Sequence, residues 1–420
     1  MTPAEKTREI RESLRLGGGR WAWWYPRKVA PVMWLGMTLG LLPWCHDGHW
    51  SFGVGFFSAA VSLLASTLYL AIYWSYEMEY LSTTASVIAM ICDLSCFKMM
   101  VVGAVFTLIW FRLKAQDVHC LLAACKELEV RQKVGRKIMF WPPLLLVLIL
   151  TEVVLISTWY MEDLTFVSAP RWVVVVVMPI HAINRTTAVF PTLLYIGVTD
   201  VLKDYAAYLG GRLETAYKSR DLARTGSRTM MRHTGLIKMT RENDCGTSDG
   251  HLDVVVDEAA QELHQLLNLH HQLDTVVSIP LLVSLMGSAI SIVAAAFFFS
   301  EAASFCEILT LMMTMMLTLT LLYVQGSIGD AFHQQLLNVH HVVRQLLNTG
   351  LSSHTDAAQD FLVSQVKQLS DEAGDPLEMT IGGLYTLSGS NFLPIVGAVV
   401  SNLVILLQFY LPCSNSHGSP

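Results

Sequence analysis

Residues 276–299 read VVSIPLLVSLMGSAISIVAAAFFF, 24 positions without one charged side chain. A helix needs roughly 20 mostly apolar residues to cross a hydrocarbon core of about 30 Å. This stretch meets that length, and its polar groups are limited to short hydroxyls. The same measure applied outward finds six more runs: Ser51–Trp74, Thr84–Phe111, Met139–Tyr160, Trp172–Val198, Cys306–Val324 and Asn391–Leu411. The composition agrees. The 420 residues are 53% hydrophobic and 15% charged, with a mean hydropathy of +0.45, whereas an average soluble domain carries roughly 25% charged residues. The expected fold class is an all-α membrane protein with seven transmembrane helices.

An eighth run, Val29–Trp44, is short and ends at Pro43. A run of that length suits an interfacial or re-entrant segment. The charged stretch before it and Trp44-Cys45-His46 after it do not suit a cleaved signal peptide. It reads as a membrane-embedded pre-helix, with Trp21, Trp23, Trp24 and Tyr25 beside it at headgroup level.

Orientation follows from the basic residues. Residues 1–28 hold seven Lys and Arg, 112–138 seven, 199–275 nine and 326–390 two, which is 25 of the 28 in the chain. Seven spans with a cytosolic N-terminus put all of these on one side, and the C-terminus on the other. The expected organisation is a cytosolic N-terminus (1–28), the pre-helix (29–45) and transmembrane helices 1–6 (46–325) with cytosolic helical loops at 112–138 and 199–275. A cytosolic loop and helix (326–390), the last span (391–411) and an extracellular tail (412–420) complete it. The outer loops are short, so a ligand from outside has to enter between helices. Asp257–Asp274 carries leucines at 263, 266, 267 and 273 on one face, and Gln334–Asn348 a similar stripe. Leu-Leu-Asn-x-His-His occurs in both, at 266–271 and 336–341, which fits a shared packing role or a chance match. Residues 219–251 are polar and rich in Gly, Ser and Thr, and are expected to form a mobile loop.

Several chemistries lack their residues. The 14 histidines and eight cysteines form no HExxH, no CxxC pair and no carboxylate set at ligand spacing, so neither metal nor cofactor is expected. No Walker loop, dinucleotide fingerprint or nucleophile elbow is present, which argues against an enzyme. A net charge of −6 and a pI of about 6.1 give no basic footprint for nucleic acid. Asn184-Arg185-Thr186 fits a glycosylation sequon but falls mid-span.

Ionisable residues at bilayer depth are costly and point to function. Asp93 and Lys98 lie in the second span, Glu152 in the third, His181 and Arg185 in the fourth, and Trp159 and Tyr160 close the third on the outside. Asp93, Glu152, Trp159, His181 and Arg185 are the candidate ligand-binding residues, lining a pocket in the outer half that holds a polar ligand by hydrogen bonds and aromatic faces. The competing reading is structural: Glu152 or Asp93 pairs with Arg185 or Lys98 to knit the bundle. In the last span, Gly397, Ser401, Val404, Ile405 and Gln408 share one stripe. Several copies of that helix around an axis would enclose water, while a single copy would pack through Gly397 and Ala398.

Leu377–Phe409, LEMTIGGLYTLSGSNFLPIVGAVVSNLVILLQF, resembles the end of the insect gustatory receptors. That family carries a Gly-Phe/Tyr-Phe-x-Leu stretch, then Thr-Tyr, five apolar residues and Gln-Phe. Here the signature stands as Ser401-Asn402, Leu403–Leu407 and Gln408-Phe409, departing from it with Asn402 in the tyrosine position. The Ile-Val-Gly-Ala run and Leu-Val-Ile-Leu-Leu-Gln-Phe look closest to the fructose-sensing and broadly tuned branches. Gly40-Leu41-Leu42-Pro43 and Leu267-Asn268 also look like family elements. The resemblance implies a homotetrameric, ligand-gated, non-selective cation channel in the plasma membrane of a sensory neuron dendrite. It would be opened by a small-molecule tastant such as a sugar or bitter compound, pass monovalent and divalent cations and be seated in membrane lipid. The last span would line the pore, with Gln408 and Phe409 at the gate and Ser401, Val404 and Ile405 along the wall. The long cytosolic helices would anchor the subunits. The alternative is a seven-transmembrane receptor or transporter without an intrinsic pore, although neither Asp-Arg-Tyr nor Asn-Pro-x-x-Tyr stands near an expected helix end and no internal symmetry is evident.

Overall fold

The computed structural model describes residues 28–42, 44–46, 49–51, 57, 59–68, 71, 87–132, 144, 147–152, 154–155, 171–233, 246–299, 305–350, 380–381, 385–386, 394, 396–398, 400, 401, 404, 405 and 408. Its helices are α1 (Ala30–Thr38), α2 (Ala59–Leu68), α3 (Val87–Leu113), α4 (Ala115–Gln132), α5 (Arg171–His233), α6 (Gly246–Phe299) and α7 (Phe305–Gly350). Two small antiparallel ribbons accompany them: β1 (Trp44–His46) with β2 (His49–Ser51), and β3 (Thr380–Ile381) with β4 (Tyr385–Thr386). The fold is helical, as expected of an all-α chain, and the two ribbons add only two- and three-residue strands among the described residues. Each is too short to show the alternation from which a strand is read. β1 and β2 flank Asp47-Gly48, the dipeptide most favoured in two-residue hairpin connections.

Among the described residues, Gln261–Phe297 and Ile308–Val342 are long and apolar enough to cross a membrane. Met99–Leu113 and Ala115–Arg131 pass the same test together, bent by 72° at Lys114. The runs Thr84–Phe111, Trp172–Val198, Val276–Phe299 and Cys306–Val324 fall largely within α3, α5, α6 and α7. Ser51–Trp74, Met139–Tyr160 and Asn391–Leu411 are described only in part, and the aromatic group at Trp21–Tyr25 lies outside the described residues.

α5, α6 and α7 run without a break from apolar to polar sequence. With 63 residues, α5 has a contour of about 95 Å at 1.5 Å per residue, three times the hydrocarbon thickness. The loop expected at 219–251 is largely helix instead, since α5 continues to His233 and α6 begins at Gly246. Polar composition there does not dictate a loop: Arg220–His233 holds four arginines and two methionines, both good helix formers. The leucine stripes lie where periodicity puts them. Leu263, Leu266, Leu273, Leu336 and Val339 are buried in one core shared by α1 and α3 to α7. The repeated Leu-Leu-Asn-x-His-His motif buries its first leucine in both copies, whereas the second is partly buried at 267 and exposed at 337.

The pre-helix is shorter than expected. α1 stops after Thr38, and Trp44 and Cys45 belong to the first ribbon. Gly40 sets the stop with φ at 75°, a left-handed conformation that spares only glycine the side-chain clash. The carbonyl of Gly36 then accepts from the amides of Leu41 and Leu42, at 2.9 and 3.2 Å. α1 lies antiparallel to α5. Val29 packs against Gly197, and a Cβ at Gly36 would sit 2.7 Å from the ring of Phe190. α2 adjoins the end of α1 and α5, with Ser62 donating to the carbonyl of Leu39 and Ser66 to Asn184. The first ribbon lies between α1 and α2 in sequence.

Candidate functional site

Polar side chains in the bundle collect on α5 between His181 and Thr187, opposite helical residues 147–152 and α7. The Glu152 carboxylate, 1% exposed, accepts from Nε of Arg185 at 3.0 Å and from Nη2 at 3.2 Å. Such a two-point pair is the strongest arrangement open to Arg and a carboxylate. Nη2 also reaches Oγ1 of Thr318 on α7, at 3.4 Å, so three elements meet at one guanidinium. Thr318 is itself held by donating to the carbonyl of Thr314, at 2.7 Å. His181 is buried one turn before Arg185. Asn184 accepts from Ser66 and is fully buried, which leaves no access for a glycan at the sequon. Pro179 and Pro191 lie inside α5 on either side of this polar band.

Two further polar arrangements fix the elements around the band. Lys28 reaches Asp200 and, at 2.6 Å, Asp204 on α5, while Lys203 also pairs with Asp200. Burial would lower the Lys28 pKa, but the hydrogen bonds to both aspartates outweigh it and raise the pKa above 10.5. Burial likewise works against the Asp200 carboxylate, and the hydrogen bonds from Lys203 and Lys28 outweigh it, holding Asp200 below 3.8. On α6, Pro280 has no amide hydrogen to give the carbonyl of Val276, four residues back. The indole N–H of Trp110 on α3 donates to that carbonyl, at 2.7 Å.

The described part of the C-terminal helix has a different character. Pro394, Gly397, Ala398, Val400, Ser401, Val404, Ile405 and Gln408 are all exposed. At 100° per residue they span an arc of about 160° on one side of the helix. Val404 and Ile405 are 46% and 49% exposed, and a Cβ at Gly397 would meet nothing within 4 Å.

The family model described as 7tm Chemosensory receptor matches residues 29–411. The chain belongs to the 7tm chemosensory receptor family. The receptor is similar in fold to the insect olfactory receptor OR5 from Machilis hrabei, with a TM-score of 0.63, 13% sequence identity, and 97% of this chain and 98% of that one covered. The structure of OR5 in complex with eugenol gives the same values. No curated protein matches the receptor's sequence.

The structure joins three of the residues picked from sequence. Glu152 and Arg185 are paired and His181 is adjacent on α5. Asp93 lies in α3 with its side chain outside the described residues, as does Trp159 altogether. Among the stripe residues Ser401, Val404, Ile405 and Gln408 share the exposed side, and Phe409 lies outside the described residues. Among the described residues no group of three or more His, Cys, Asp or Glu is placed to hold a metal. Sequence reasoning passed over Thr318, Ser66, the Lys28 cluster and the Trp110 bond. Only the last carried a signal, since a proline inside a span always frees a carbonyl four residues earlier.

Proposed function

We propose that the receptor is a gustatory receptor acting as a ligand-gated, non-selective cation channel, opened by a small tastant such as a sugar or bitter compound. In this reading seven helices cross the plasma membrane with the N-terminus in the cytosol, and four copies surround a central pore. The stripe Gly397, Ser401, Val404, Ile405 and Gln408 of each copy lines the pore, with Gln408 and Phe409 at the gate. Asp93, Glu152, Trp159, His181 and Arg185 line the ligand pocket. The observation that carries this reading is the exposed face of the C-terminal helix. Its own subunit leaves an arc holding Ser401 and Gln408 uncovered. A glutamine turned toward lipid would leave its amide unsatisfied, whereas a water-filled axis satisfies it. Family membership and the fold shared with a receptor solved with eugenol support a small-molecule ligand.

The test is electrical. Cells expressing the receptor are exposed to a panel of sugars and bitter compounds, and currents are recorded in excised patches without nucleotide or G protein. Ligand-evoked cation current is expected, and Gln408→Ala is expected to change permeation or basal leak at unaltered surface expression. Ligand responses that vanish on excision would favour a receptor without its own pore, and unchanged currents in Gln408→Ala would remove the pore assignment.

A further inference from the structure

We propose that the inner end of α3 binds an anionic phospholipid, with Arg112 holding the headgroup phosphate and an acyl chain lying along the outer face of the helix. The charge pattern singles Arg112 out. Lys28, Lys114, Lys126, Arg131, Arg185, Lys203, Arg212 and Lys218 each sit beside a carboxylate. Arg112 pairs with none among the described residues; its Nη2 is buried without a hydrogen-bond partner, and the side chain as a whole stays partly exposed. A partly desolvated cation without a counter-charge is costly, and a guanidinium presents paired N–H donors that match phosphate oxygens.

The place in the fold specifies which phosphate. The run Thr84–Phe111 ends one residue before Arg112, and α4 leaves at 72° just beyond. In the orientation proposed above, on which this inference rests, Arg112 stands at the cytosolic headgroup level. On the same helix Val102, Ile109 and Leu113 are 55%, 53% and 78% exposed, and Phe106 on their stripe is partly exposed. From Val102 to Leu113 the stripe is about 16 Å long at 1.5 Å per residue, close to one leaflet of a hydrocarbon core of about 30 Å. An apolar rail one leaflet long whose inner end is flanked by an uncompensated cation matches an anionic lipid in both charge and length. The half-buried Lys114, bonded to Asp117 at 3.0 Å, adds positive potential beside it.

Retention of phosphatidylserine by the purified, delipidated full-length receptor, read by native mass spectrometry, tests the proposal. The wild type is expected to keep the lipid, Arg112→Lys to keep part of it, and Arg112→Gln to lose about fivefold in retention, the loss of one interfacial cation. Equal retention by wild type and Arg112→Gln would overturn the site. Competition on the wild type needs no variant to fold: glycerophosphoserine or inorganic phosphate displacing the lipid as well as a second phospholipid does would mean a soluble anion and no use for the rail. A disulfide between copies of Leu113→Cys would make the face a subunit contact, and overturn it too. Orientation is read separately, from an N-terminal epitope that antibody reaches only after permeabilisation. An epitope reached in intact cells sinks the orientation, while lipid retention in detergent still reports on Arg112.

Discussion

At the scale of single residues, a few polar atoms hold together helices that lipid would not drive together. Between apolar helices in a membrane the hydrophobic effect contributes little, so packing and hydrogen bonds carry the association. Trp110 is the clearest case, because its indole N–H covers a carbonyl that Pro280 leaves bare. Trp110→Phe keeps the ring and loses the donor, and should cost about 1–3 kcal/mol, the range for a buried group left unsatisfied. Pro280→Ala restores an amide to bond Val276, so the double variant should recover much of the loss. Thermal unfolding in detergent measures both, and equal losses in the single and double variants would assign the effect to packing. The Glu152–Arg185 pair allows a sharper separation. Removing one member of a buried pair typically costs about 3–5 kcal/mol. Glu152→Gln should therefore lower the melting temperature and also move the concentration of tastant needed for half-maximal current. A variant that reaches the surface with unaltered sensitivity would leave the pair a structural role alone. That Glu152 and Arg185 stand within apolar runs was legible from the sequence. That they find each other across 33 positions, with Thr318 as a third party, was not, because it depends on which helices are neighbours.

At the scale of elements, α1 is the instructive piece. Its nine residues are too few to be stable alone in water, and it is placed by three contacts with α5: Val29 on Gly197, Gly36 under Phe190, and Lys28 between Asp200 and Asp204. The charged contact has a defined pH window. The raised Lys28 pKa means that its contribution is complete below the ordinary lysine value and fades as pH rises through the folded value. The lowered Asp200 pKa means that its contribution is complete above the ordinary carboxylate value and fades as pH falls through the folded one. Between about pH 5 and 9 the clasp should be constant. Lys28→Met should cost about 1.5–3 kcal/mol, the range for hydrogen bonds to charged groups. The difference in melting temperature from wild type should stay flat across that window and shrink toward pH 3. A difference that peaks near pH 6.5 would point to a histidine instead. Helices were legible here wherever apolar periodicity was strong. The extension of α5 to His233 and the two ribbons were not, since local composition separates a polar helix from a loop poorly, and strands of two or three residues carry no pattern.

At the scale of the whole molecule, the exposed surface of one chain is the open question that the proposed assembly answers. Single-particle imaging should show four 46.7 kDa chains with the C-terminal helix of each turned to a common axis. A solitary chain, or that helix facing lipid on every side, would end the channel reading. The family and the helical fold agree with the apolar runs on a helical membrane protein, and there is a physical reason for that. A bilayer admits so few solutions for a backbone that twenty apolar residues in a row nearly dictate a spanning helix, and the count of basic residues dictates which end is wet with cytosol. Depth in the membrane is thus a one-dimensional property, and a linear sequence can state it. Partnership is three-dimensional. Which helix Arg185 faces, why Arg112 has no carboxylate among the described residues, and that one side of the last helix stays uncovered all depend on lateral packing. Apolar residues of similar size satisfy lipid equally well in many arrangements, so the choice among them lies in the specific contacts of the folded bundle.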